Sequence, residues 1–161
     1  MDGNYLATGC ADSTGRIWDL RAGDLVPSVS LGLISSSAVA DIAVHPKGHE
    51  IAVLTFDLKI IILDSDSGNL KRYFDGVQYS LNRGLTLSGQ DKMTYSPNGQ
   101  FIGLPLSGTT SIIVDSQTGA LQTELQVTRN PKWVEGGTHA RSLSWSPDGK
   151  QVATGHHDGV L

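Results

Sequence analysis

The stretch Leu6-Ala7-Thr8-Gly9-Cys10-Ala11-Asp12-Ser13-Thr14-Gly15-Arg16-Ile17-Trp18-Asp19 decides how the rest of the chain is read. Its first half returns as Val152-Ala153-Thr154-Gly155-His156-His157-Asp158. Its second half returns as Ile62-Leu63-Asp64 and again as Ile113-Val114-Asp115. Asp19, Asp64 and Asp115 stand 45 and 51 residues apart, and Gly99 and Gly149 stand 50 apart, so one register runs through the chain. A period of this length marks a repeat architecture, and units of short strands at that period point to a β-propeller.

Working outward, each unit reads as up to four strands. Val39 to Val44 alternates, with Ala40, Ile42 and Val44 on one face, as a half-buried strand does. Ile51 to Thr55 and Lys59 to Leu63 are nearly continuous apolar runs, which predicts strands covered on both faces. His45-Pro46-Lys47-Gly48, Ser96-Pro97-Asn98-Gly99 and Ser146-Pro147-Asp148-Gly149 place Pro second and Gly fourth, as type I turns favour. The remaining strands are expected at Tyr5–Gly9, Arg16–Leu20, Leu25–Leu31, Leu70–Phe74, Asp91–Tyr95, Phe101–Leu104, Ser111–Val114, Leu121–Val127, Arg141–Trp145 and Gln151–Gly155. The units are then 2–31 without a first strand, 39–74 and 91–127 complete, and 141–161 as the first half of a fourth. Both ends fall inside a unit. The expectation is a segment of a larger propeller, such as a seven-bladed one, in preference to a ring closed by a second copy.

Composition narrows the function classes. The charge of −4, with no run of Lys or Arg, offers no footprint for direct nucleic-acid binding or for an anionic membrane. No apolar run is long enough to span a bilayer as a helix. The lone Cys10 forms no internal disulfide, and an intracellular setting, cytoplasmic or nuclear, is expected.

Ser146 to Gly149, Leu6 to Gly9 and Ile17-Trp18-Asp19, held in one register, resemble the WD-repeat β-propeller family. Kelch-type and bacterial propellers use similar turns. The resemblance implies an all-β fold of four-stranded antiparallel blades and a scaffold that binds other proteins within a multiprotein complex. This sequence departs from the family pattern in two ways. Leu63 and Val114 stand where the Trp of the Trp-Asp pair belongs, and the Gly-His pair that opens a repeat is absent. The aspartate of the tight connection is present as Asp12, Asp57 and Asp158, with Gly108 in the third unit.

The residues themselves favour structure over catalysis. Asp12, Asp57 and Asp158 are expected to accept backbone N–H bonds within their own turns, with Thr8, Thr154 and Trp18 in the same structural set. His156 and His157 are adjacent, so they point to opposite sides of a strand and make poor joint metal ligands. No Gly-x-Ser-x-Gly elbow occurs, and no catalytic set, cofactor or metal site is expected. Trp145 and Tyr95 read as core fillers. The connections between second and third strands share one end with the long links between units. At that end Tyr79, Arg83, Arg129 and Trp133 are the candidate partner contacts. The competing function is a propeller domain of a longer enzyme, such as a peptidase, with catalysis outside this segment.

Overall fold

The apolar runs fold into thirteen strands, all paired antiparallel, and no helix occurs among the described residues. The computed structural model describes residues 4–21, 27–33, 37–75, 87, 92–106, 110–126 and 140–156, with the backbone alone for 27–33. The chain divides into two compact units, Met1–Gly76 and Val77–Leu161.

The first unit holds two sheets. One is ordered β1 (Tyr5–Gly9), β2 (Thr14–Asp19), β3 (Pro27–Leu33), and the other β4 (Val39–Val44), β5 (Glu50–Thr55), β6 (Lys59–Asp64), β7 (Leu70–Asp75). Ile17 meets Val39, Ile51, Val53, Ile61 and Leu63 in one core, with Ala7, Ile42 and Val44 packed against it. The two sheets come close because Gly9 has no side chain; a Cβ there would collide with Val39. The continuous runs behave as expected, since Ile51 to Leu54 and Ile60 to Leu63 are all buried. Each fully buried Ile or Leu contributes about 1.5–3 kcal/mol.

The second unit repeats the pattern with β8 (Thr94–Tyr95), β9 (Phe101–Pro105), β10 (Thr110–Asp115) and β11 (Leu121–Gln126) in one sheet, and β12 (Ala140–Trp145) with β13 (Val152–His156) in the other. Here Gly103 is the close-approach position. A Cβ built on it would lie 2.6 Å from Leu143 Cδ2. Ile102, Leu104, Ile112 and Val114 are buried on the other face of the same sheet.

Three expectations are corrected. The strand expected at Leu25–Leu31 starts at Pro27 and runs to Leu33; Pro is tolerated as a first strand residue because its missing N–H breaks no ladder there. The strand expected at Asp91–Tyr95 contracts to Thr94–Tyr95, pairing only with Gly103 and Ile102. On β4 the inward residues are Val39, Ile42 and Val44, not Ala40. A β-bulge between Val39 and Asp41 inserts Ala40 as an extra residue and turns the alternation over. The same bulge recurs in β12, between Ala140 and Ser142.

Outer strands carry a second recurrent bulge. The register slips by one residue at Ser28 in β3, at Lys71 in β7 and at Gln122 in β11. Across β6, Arg72 clasps Glu50 through two bonds of 2.9 and 2.6 Å, and Lys71 reaches Asp64 at 3.3 Å.

Candidate functional site

The tight connections between second and third strands are built from one plan. In the first sheet, Asp12 Oδ1 accepts the Thr14 amide at 3.0 Å and the Thr14 hydroxyl at 2.6 Å. These bonds, the hydroxyl's first, hold the Asp12 carboxyl below the usual carboxylate range. In the second sheet, the Thr55 hydroxyl donates to Asp57, whose other oxygen pairs with Lys59 at 2.9 Å. Burial pushes the Asp57 pKa up, but the bonds from Lys59 and Thr55 outweigh it and the net shift is downward. Both connections bend through a left-handed residue, Ser13 at φ 67° and Leu58 at φ 64°.

In the first unit these connections share an end with the link between sheets. The Val39 amide donates to the Cys10 carbonyl, the Phe56 amide to the Ala38 carbonyl, and the Asp57 amide to Ser37 Oγ at 3.2 Å. Phe56 stands exposed on that end, with 47% of its surface accessible.

Thr8 and Trp18 meet directly. Trp18 Nε1 donates to Thr8 Oγ1 at 2.9 Å across the β1–β2 pair. In the second sheet the same two places hold Val53 and Leu63, and in the third Leu104 and Val114. Wherever the indole is lost, the hydroxyl that would receive its N–H is lost as well. Thr154 occupies the Thr8 place in β13 and lies 3.1 Å from His156 Nε2. Trp145 is half-buried and stacks on Phe101 with centroids 6.4 Å apart, while Tyr95 is buried.

The sequence reading missed a second network at the opposite ends of the strands. Asp64 Oδ1 accepts the Ser67 amide and hydroxyl at 2.9 and 2.8 Å, and Asp115 Oδ1 accepts those of Thr118 at 2.8 and 2.9 Å. The next residue, Ser65 or Ser116, donates its hydroxyl at 2.7 Å to the carbonyl of Gly48 or Gly99. That bond ties the turn after the third strand to the turn after the first. The Ser67 amide and hydroxyl hold the Asp64 pKa at about 2. The Arg21 side chain and amide do the same for Asp19, also at about 2. The signal was present in the sequence as Asp-Ser-x-Ser/Thr-Gly at 64–68 and 115–119.

Of the candidate partner contacts, Tyr79, Arg83, Arg129 and Trp133 lie outside the described residues, as does Asp158. Among the described residues, no group of three or more His, Cys, Asp or Glu could hold a metal ion.

The family model "WD domain, G-beta repeat" matches residues 1–19 and 133–161. The two matched segments support the WD-repeat family for this chain. The two matched segments hold Thr8, Trp18, Asp19 and Thr154, whereas the stretch between them carries the apolar replacements Val53, Leu63, Leu104 and Val114. The four-stranded antiparallel sheets are consistent with WD-repeat blades. A comparison with curated proteins finds no match. WD repeats in general mediate protein–protein interactions and are typically non-catalytic.

Proposed function

We propose that this WD-repeat chain is a non-catalytic scaffold on which other proteins assemble into a complex, in a cytoplasmic or nuclear setting. The observation that carries the reading is the use made of the repeat acids. Asp12, Asp57, Asp64 and Asp115 are all engaged within their own turns, stiffening the frame. A rigid frame with connecting segments at one end is the arrangement on which recognition usually sits. Partner contacts are assigned to Tyr79, Arg83, Arg129 and Trp133, because Trp, Tyr and Arg dominate interface hot spots. The net charge of −4 favours proteins over nucleic acid as partners.

The test compares the native chain with its Tyr79→Ala, Arg83→Ala, Arg129→Ala, Trp133→Ala quadruple variant after cross-linking in cells. A reproducible partner set that the variant loses, with its circular dichroism unchanged, is the expected result. Equal capture by both would refute the placement of the contacts, and absence of any specific partner would refute the scaffold.

A further inference from the structure

The turns 96–99 and 146–149 are hydrogen-bonded alike although one carries Asn98 and the other Asp148. Asn98 Oδ1 accepts the Ser96 hydroxyl at 2.8 Å and the Gln100 amide at 3.0 Å. Asp148 Oδ1 accepts the Ser146 hydroxyl at 2.6 Å and the Lys150 amide at 3.1 Å. The Gly99 and Gly149 amides donate to Ser96 and Ser146 carbonyls at 2.8 and 2.9 Å. Ser96 Oγ and Ser146 Oγ each accept the amide five residues on, both at 2.9 Å. Asn98 is exposed, and it is the only asparagine in the sequence followed by glycine.

We propose that Asn98 is a site of spontaneous deamidation that the folded turn holds shut, and that its aspartate product keeps the turn intact. The Gly99 nitrogen, losing its proton to solvent base, attacks Asn98 Cγ; a C–N bond forms in the ring, the bond to Nδ2 breaks, and ammonia leaves. Water then opens the succinimide to aspartate or isoaspartate, with no change of oxidation state. Glycine at 99 removes the side chain that would hinder ring closure. In the folded turn both reacting groups are engaged elsewhere. The Gly99 N–H is given to Ser96, and the Asn98 carboxamide is held on Ser96 Oγ and the Gln100 N–H. Closure therefore waits for local opening. A carboxylate at this place is already accommodated in the last sheet, where the Ser146 hydroxyl and then the Lys150 amide lower the Asp148 pKa. Isoaspartate would lengthen the backbone by one carbon and break the pattern.

The experiment incubates the chain at alkaline pH, folded and in urea, and follows residue 98 by peptide mass spectrometry. The amide-to-acid mass gain separates it from isomerisation at Asp148-Gly149, which leaves mass unchanged. The gain is expected about tenfold or more slowly in the folded chain, the factor that two ordinary hydrogen bonds represent. Ser96→Ala should close part of that gap, and Asn98→Asp should melt close to the wild type. Equal rates in folded and unfolded chain, or no gain at residue 98 in urea, would overturn the proposal. A large loss of melting temperature in Asn98→Asp would overturn the preserved turn.

Discussion

Thr8 and Trp18 act as a pair, and the sequence changes them as a pair. The 2.9 Å bond between them is replaced by Val53 with Leu63 in the second sheet and by Leu104 with Val114 in the third. An indole N–H without an acceptor, or a hydroxyl without a donor, is worse than having neither. Thr8→Val alone should therefore destabilise the chain by about 1 kcal/mol, and Trp18→Leu alone by more, since it also removes packing. The double variant should cost less than the sum, with a coupling of about 1 kcal/mol in a denaturant-unfolding cycle. Additive costs would mean that the bond contributes nothing. Gly149 is the other residue whose identity is dictated locally. Its φ is 69°, and Gly48 and Gly99 sit at 79° and 77° in the corresponding turns. Gly149→Val should lower stability by about 1 kcal/mol or more, read from the melting curve.

At the scale of the element, the strands were legible because burial on both faces leaves unbroken apolar runs such as Ile60 to Leu63, and turns were legible from Pro and Gly. The bulges were not. One extra residue, Ala40 or Arg141, looks in sequence like any other member of an alternating strand, yet it decides which side chains face the core. The bond from Ser65 Oγ to the Gly48 carbonyl was equally hidden, since it joins turns seventeen residues apart and needs only a common serine. The turns after the third strands respond to acid. Asp19 and Asp64 fall from an ordinary 3.8 to about 2 on folding, so the unfolded chain binds protons first as pH drops. Their contribution is complete above pH of about 4 and is lost as pH falls toward about 2. The melting temperature should decline through that window, and Asp64→Ala should flatten the decline; an unchanged slope would remove Asp64 from the account. Packing between sheets offers a sharper test. Gly103→Val places methyl groups where Leu143 already lies and should cost about 1–3 kcal/mol by overpacking.

Across the whole molecule, the repeat register was legible from five landmark residues, but the contacts proposed for partners fall in connections whose composition carries no period to read them by. The likeness to the WD repeat rests on the first and last units, where Thr8 and Thr154 are kept and Trp18 still meets Thr8. One architectural feature has a meaning for solubility as well as shape. Every outer strand described, β3, β7 and β11, carries an extra polar residue: Ser28, Lys71 or Gln122. An outer strand shows neighbouring molecules a row of unpaired amides and carbonyls, and β7 adds Leu70 and Tyr73, both about 60% exposed. A kink in that row, with an ammonium on it at Lys71, spoils the template on which a second chain would zip. Removing Lys71 should straighten β7 and give larger species by light scattering at concentrations where the parent chain shows none. A scaffold of the kind proposed above has to be unattractive to copies of itself along its sides, and a surplus residue on each outer strand described supplies that reticence.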